Sequence, residues 1–387
     1  VSTSSPNDDL LRSARDALRS VVDPELGDDV VSLGMVRSLE LAGDSLRVTV
    51  ALTVAGCPLR DQIRRDIVAR LAPLAEGREV EVVTTVMDRA ARAELMERAR
   101  ARAQERAPAT AVPPSARVLA VVSGKGGVGK SSVTVNLAVA LARRGLVVGV
   151  LDADIWGFSV PRMLGLEAEL AAEDRKIVPV GLGVPPGRLE VVSMGFLSGE
   201  DEAIMWRGLV LNRAVQHFLE DVRWGPLDYL LIDMPPGTGD VQMGLARMLP
   251  RTEMLLVTTP PLAAQKVAGR AADMARKGHL RIAGVVENMS SFTCDHGTAY
   301  ALFGEGGGER LAAAVGAPLL GAVALHPSVA AAGDAGRPVA LDDSNPLAGV
   351  FATIASRLAT EVAPPLEMSS CSARLVERVR RALDESA

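Results

Sequence analysis

The sequence is short of lysine and of aromatic rings. Only five lysines stand against 37 arginines in 387 residues, and Trp, Tyr and Phe together make up 3% of the chain. A core must therefore be assembled from Val, Leu, Ala, Ile and Met, and apolar residues at 48% supply enough of them. Cysteine is rarer still. Cys57, Cys294 and Cys371 lie far apart, and an odd, sparse set is no disulfide framework, so they read as reduced thiols. No apolar run reaches the roughly 18 residues of a membrane span, which argues against stable membrane insertion. The net charge of −5 is spread without a long block of one sign. That excludes the basic surplus of a dedicated nucleic-acid binder. The opening "VSTSSPNDDL" lacks the basic-then-apolar profile of a secretory signal, and the expected location is cytoplasmic.

What is there falls into segments. Within residues 8–22, Leu10, Leu11, Ala14, Ala17, Leu18 and Val21 share one helical face. "SLRVTVALTV" and "REVEVVTTVM" read as strands, with the helix "LRDQIRRDIVARLAPL" between them. Residues 1–87 are thus expected to form a small α+β domain. Residues 88–115 turn Ala/Arg/Glu-rich and then Pro-rich, the composition of a linker whose first half is a solvated helix. From residue 116 to 365 short apolar runs alternate with helical stretches. The runs are "RVLAVVS", "LVVGVLDAD", "LEVVSMG", "LDYLLID", "EMLLVTT", "IAGVVENM" and "PLLGAVAL". Continuous apolar strands between helices predict an α/β domain with a mainly parallel sheet and helices on both faces. Residues 366–387 carry an amphipathic helix, "SARLVERVRRALDES", expected to pack on its own protein.

Two of the five lysines sit in one turn, "GKGGVGKSS", spanning Gly124 to Ser132. The pattern G-x-x-x-x-G-K-[ST] follows an apolar strand and precedes a helix, the context a phosphate-binding loop requires. Gly124, Gly126, Gly127 and Gly129, with Val128 between them, let backbone N–H groups curl around phosphate oxygens, and the helix N-terminus adds positive potential. Lys130 is a point charge for the β- and γ-phosphates, and the Ser131 hydroxyl is a Mg²⁺ ligand. Ser132 completes the loop. Asp233, closing the apolar strand "LLID", fits the carboxylate that supports Mg²⁺, and Asp152 and Asp154 end a second strand two residues apart. Strand-end aspartates can also cap helices, but three beside such a loop favour the nucleotide site.

"KGGVGK", with Lys125 at its head, resembles the deviant Walker A loop of the MinD/ParA-type P-loop ATPases. The resemblance implies that Lys125 reaches across a homodimer interface to the partner's nucleotide, rather than standing as a solvated loop charge. It also implies that Asp154 orients the attacking water, that Asp152 supports Mg²⁺ or the switch, that Gly237 senses the γ-phosphate, and that Asn288 contacts adenine. Asn288 on its own could equally be a turn former. "DADIWGFSVPRMLGL", "MGF", "MWRG", "LDYLLIDMPPGTGDVQM", "LLVTTP" and "GVVENMS" together are similar to one branch, the Mrp/ApbC-type iron–sulfur carrier ATPases. "VVDPELGDDVVSLGMV" and "TVAGCPLRDQI" resemble the SufT-like domain of iron–sulfur assembly factors, whose cysteine Cys57 matches. A thiol at a helix N-terminus has a lowered pKa suited to metal chemistry, whereas a buried apolar Cys is the plain alternative.

The resemblance implies a slow Mg-ATPase, homodimeric, that binds an iron–sulfur cluster and passes it to client apoproteins or works with other assembly factors. The sequence departs from the family in two places. Phe158 stands where a proline is expected. More important, the family's C-x-x-C is reduced to Cys294, with Gly297 three residues on. Two protomers then supply two thiolates, leaving Asp295, His296, Cys57 or an external thiol to complete the ligands, since mixed Cys/His ligation is known for such clusters. The plain alternative for His296 is an ordinary loop histidine. Two further readings stay open: an ATPase adaptor without its own cluster, and a MinD/ParA-like positioning switch.

Overall fold

The computed structural model describes residues 6–23, 26–53, 59–154, 157–196, 208–237 and 240–366. Cys57, Cys371 and the helix expected over 366–387 (Leu366 apart) lie outside these described residues. The chain divides into two compact units, Val1–Ala107 and Pro108–Ala387.

The first unit begins with α1 (Pro6–Leu18), then a two-residue ladder, β1 (Val22–Asp23) with β2 (Asp28–Asp29). Strands β3 (Val36–Ala42) and β4 (Ser45–Leu52) form a hairpin. After α2 (Arg60–Leu71), β5 (Glu79–Val86) joins β4 in parallel. Leu46, Val48 and Val50 alternate inward along β4 and meet Ile63, Ile67 and Leu71 of α2, as period-two and period-four spacing require. Helix α3 (Arg89–Arg106) differs from expectation. The sequence assigned 88–115 to a linker, yet Leu95 and Ala99 are buried in this unit's core. Asp88 caps the helix by accepting from the Ala91 N–H at 2.7 Å. Arg102 and Arg106, one turn apart, both donate to the buried Asp28 carboxylate, at 2.7 and 3.0 Å. A helix that reads as Ala/Arg-rich and solvated is held by two apolar side chains and an ion-pair cluster whose partner lies more than 70 residues earlier. Residues beyond it are fastened to the second unit, where Arg251 donates to the carbonyls of Val112 and Pro113.

The second unit starts with β6 (Arg117–Ser123), α4 (Lys130–Ala142), β7 (Val147–Asp152) and the short α5 (Val160–Met163). A small hairpin, β8 (Ala171–Glu173) and β9 (Lys176–Val178), precedes β10 (Val180–Val184) and β11 (Gly187–Ser193). Then come α6 (Gly208–Glu220), β12 (Tyr229–Asp233), α7 (Asp240–Met248), β13 (Glu253–Thr258) and α8 (Leu262–Lys277). The unit continues with β14 (Arg281–Thr293), β15 (Ala299–Tyr300), α9 (Gly307–Val315) and β16 (Leu319–Leu325). Helices α10 (Pro327–Asp334) and α11 (Pro346–Arg357) follow. Among the described residues nine strands form one sheet, ordered β10-β11-β7-β12-β6-β13-β14-β15 with β16 also on β14.

All seven apolar runs predicted as strands lie in this sheet, and all their pairings with one another are parallel. Antiparallel β10 and β15 were not anticipated; "VGLGV" is too rich in glycine and β15 has only two residues. Both faces are covered. On one, α4 and α11 bring Leu137, Leu141, Phe351 and Ile354 onto the sheet. On the other, Phe218, Leu245, Ala271 and Leu311 of α6 to α9 do the same. Helix α4 is buried on every side from Val133 to Ala142, so its register is fixed by packing, and with it the loop that precedes it.

The Asp28 cluster carries a pH signature. Burial pushes the carboxyl up, but hydrogen bonds from Arg102, the Asp29 N–H and Arg106 outweigh it and hold it below its ordinary 3.8. A lowered folded-state value stabilises above 3.8 and loses that stabilisation as pH falls through the folded value. In the full chain, Arg102→Ala is expected to speed amide hydrogen exchange along α3 severalfold at pH 7. The gap between variant and parent should close as the pH falls through the lowered folded value of Asp28. Equal protection of α3 in both proteins at pH 7 contradicts the clamp.

Candidate functional site

The parallel strands end on one edge, where β6, β7 and β12 present Ser123, Asp152 and Asp233. Asp233 is in register with Asp152 on one side and Val121 on the other. The loop 124–129 crosses this edge from β6 to α4, the position where open α/β sheets bind ligands. Its glycines answer to specific contacts. A Cβ on Gly124 would lie 2.3 Å from the Ala268 nitrogen of α8. Gly129 has φ +77°, and a Cβ there would lie 2.3 Å from the Asn288 amide nitrogen. Gly127, φ +78°, faces open space. Lys125, Gly126 and Gly127 are exposed, while Val128 is buried and pins the turn.

Asp233 is the hub. It is 1% exposed and receives Lys130 Nζ at 2.7 Å, Ser131 Oγ at 2.5 Å and Thr134 Oγ1 at 2.8 Å. Asp152, fully buried beside it, accepts from the backbone N–H groups of Asp154, Ser159 and Val160 and from Ser193 Oγ at 3.1 Å. Burial first, and then the neighbouring Asp233 charge, push Asp152 up to about 7 against the opposing pull of Lys130. The one lysine is thus shared unequally by two carboxylates, and Asp152 relies on dipoles. Those dipoles tie the end of β7 to α5, so Asp152 fixes the segment that follows Asp154. Asp154 itself is half-buried just past the strand.

Gly237 stands beyond β12 with φ +98°; its N–H donates to the Ser123 carbonyl at 3.1 Å. Asn288 is 8% exposed and donates its amide to the Val128 carbonyl at 2.8 Å, so it braces the phosphate loop. It also lines a cavity of about 460 Å³ with Gly129, Ser132, Met163, Met289 and His326. The predicted residues of the loop, Asp152, Asp233, Gly237 and Asn288 therefore converge on one edge of the sheet. Thr134, Ser193 and Gln242 were missed. Thr134 had a signal, a hydroxyl inside an otherwise apolar helical run one turn after Lys130.

Cys294 lies beyond that edge, six residues past Asn288. Strand β14 runs beyond Asn288 to Thr293, through Met289 at φ +55°, and pairs with β15. The hairpin end is closed by the Cys294 N–H on the Thr298 carbonyl at 3.0 Å and the Gly297 N–H on the Cys294 carbonyl at 2.8 Å. Backbone N–H groups of His296 and Thr298 point at the sulfur and hold the thiol below its ordinary 9.0. Asp295 and His296 are exposed at the tip. Among the described residues no three His, Cys, Asp or Glu side chains converge as a metal site.

The donor set at Asp233 suits a hard cation: a hydroxyl and a carboxylate oxygen, already adjacent, beside a lysine and a glycine-rich turn. A parallel sheet with such a loop and such strand-end carboxylates defines a P-loop NTPase. The chain belongs to the family described as NUBPL iron-transfer P-loop NTPase, which matches residues 115–359, and residues 12–84 match the family described as iron–sulfur cluster assembly protein. It is 46% identical over 351 residues to the iron–sulfur cluster carrier protein of Mycobacterium tuberculosis, covering 88% of this chain and 91% of that one. The carrier protein of Deinococcus radiodurans is 45% identical over 338 residues, covering 87% and 89%. Among solved structures, a nucleotide-binding protein from Archaeoglobus fulgidus in complex with ADP is 36% identical with a TM-score of 0.51, covering 59% of this chain and 89% of that one.

Two glycines separate strain from contact. In nucleotide-free protein, Gly127→Ala should cost only the left-handed backbone penalty, roughly 1–2 kcal/mol. Gly129→Ala should cost about 2 kcal/mol more, because it also displaces the Asn288 amide from Val128. Thermal unfolding of both variants measures the difference. Equal losses would mean that Asn288 does not brace the loop.

Proposed function

We propose that the protein is a Mg-dependent, ATP-hydrolysing homodimer that binds an iron–sulfur cluster and delivers it to client apoproteins, with nucleotide state gating hold and release. The observation that carries the nucleotide half is the Lys130–Asp233–Ser131 arrangement under the glycine loop. Backbone N–H groups of residues 126–131 cradle the β- and γ-phosphates, and the cavity beside Asn288 receives the base. Lys130 exchanges Asp233 for phosphate oxygens. Ser131 and Asp233 would hold Mg²⁺, which when bound neutralises phosphate charge. Asp154 orients the attacking water, and the Gly237 N–H answers to the γ-phosphate. Asp152 keeps Asp154 and α5 in fixed relation, so that chemistry and switch movement are coupled. Catalysis is positioning and electrostatics, with no covalent step. The Lys125 side chain, exposed at the loop's head, is suited to reach the partner protomer's nucleotide.

The cargo is read from Cys294 together with the family. A thiol lowered by two backbone N–H groups is a readier iron ligand at neutral pH. One such thiol per protomer gives a homodimer two, so the cluster takes its remaining ligands from Asp295, His296, Cys57 or an external thiol. That incomplete set suits a cluster meant to leave. The same observation favours a second reading, in which the protein is an ATPase adaptor that holds no cluster of its own.

Lys130→Ala leaves Asp233 still hydrogen-bonded by Ser131 and Thr134, so the fold should survive. Hydrolysis is expected to fall on the order of 10²-fold or more, measured as phosphate release. Retained turnover would remove the phosphate role of this loop. Lys125→Ala should leave nucleotide affinity of the monomer nearly unchanged and weaken ATP-dependent dimerisation, read by light scattering. An unaltered dimer would count against the trans role.

A further inference from the structure

Gln242 sits on the first turn of α7, 6% exposed, just beyond the strand that ends in Asp233. Its Nε2 donates to the Gly237 carbonyl at 2.7 Å, while its buried Oε1 has no partner among the described residues. The amide cannot be turned the other way, because a carbonyl only accepts and two oxygens would then face each other. The orphan is therefore the oxygen. A buried acceptor left unpaired is destabilising, and in a native site it asks for an explanation.

Gly237 supplies one. Both its backbone groups are engaged: the carbonyl by Gln242, the N–H by the Ser123 carbonyl at 3.1 Å. Ser123 in turn donates its hydroxyl to the Lys125 carbonyl at 3.0 Å. A single run of hydrogen bonds thus joins α7, Gly237, the end of β6 and the head of the phosphate loop. The Gly237 N–H can meet a γ-phosphate only by leaving Ser123. At φ +98° a glycine can turn its N–H side while its carbonyl stays fixed, and the residue fixing that carbonyl is Gln242.

Resting on the reading that this site hydrolyses ATP, we infer that Gln242 is a positioning residue for hydrolysis. It pins the carbonyl of Gly237 as the pivot on which the N–H swings from Ser123 to the γ-phosphate, and its free Oε1 accepts a donor brought up by that movement. Gln242 touches no nucleotide; it acts through Gly237. Because ADP has no γ-phosphate, ADP binding does not draw on the pivot.

Gln242→Met keeps length and volume but can neither donate nor accept as the amide does. Gln242→Glu keeps the shape and loses the donor when ionised, and it stands in should the Met variant fail to fold. In the full chain, both variants are expected to lose about 10- to 100-fold in kcat, with KM for ATP changed far less. Affinities for ADP and for ATPγS should both stay within about twofold of the parent, because the pivot acts on the hydrolytic step. A packing role would instead lower the Tm and weaken ADP and ATPγS together. The inference is overturned if both variants keep parental kcat, or if ADP affinity falls in step with it. A parent protein that binds nucleotide and hydrolyses no ATP overturns the ATPase reading and this role with it, and is told apart by the parent control.

Discussion

The buried carboxylate of Asp233 is the constraint on which the rest of the nucleotide edge depends. Removed from water, it is tolerable only because Lys130, Ser131 and Thr134 all point at it from the first turns of one helix. Those three can do so only if α4 starts directly beneath the end of β12. That in turn demands a six-residue crossing from β6, tight enough to need left-handed glycines. Asp152 feels the same hub from the other side. Its elevated value is the consequence of placing a second carboxylate in register with the first and giving the shared cation to its neighbour. A nucleotide's phosphates would be the next claimants on Lys130. Phosphate binding at this loop would then have to rearrange the network, which is what a switch requires.

The arginine-rich composition takes two forms here. In the first unit Arg102 and Arg106 are structural, drawing α3 onto the buried Asp28. In the phosphate loop arginine is absent and lysine stands alone, because a compact ammonium fits between a carboxylate and a helix start where a planar fork does not. The same chain thus separates fastening from phosphate work by choice of cation.

The parallel sheet was legible because buried strands carry little alternation: β12 and β13 are buried throughout, and β6 and β7 from their second residue on. The nucleotide edge was legible because its residues cluster in short motifs: Gly124 to Ser132, Asp152 with Asp154, and Asp233. What escaped depended on distance in sequence. Helix α3 reads as linker until Asp28 is set beside it. Asn288 was legible as a site residue, but its bond to the Val128 carbonyl, 160 residues away, was not. Gln242 carries no periodic or spacing signal at all, since its meaning lies in a peptide five residues away and in an oxygen without a partner among the described residues. Strand β14 was extended past its expected end by pairing with β15, which puts Cys294 on a hairpin rather than in an open loop.

The second unit thus carries two chemistries: a nucleotide edge rich in fixed dipoles and, where β14 runs on past that same edge, a hairpin offering one thiol. Their coupling is the central claim. The direct measurement is anaerobic loading of the full chain with iron and sulfide, followed by the visible spectrum and iron and sulfide per dimer, before and after adding Mg-ATP. Cys294→Ala is run alongside. A cluster that requires Cys294, and that passes to an apoferredoxin faster when ATP is present, is the result this account predicts. Protein that turns over ATP yet holds no iron with or without Cys294 would contradict it and leave an adaptor in its place.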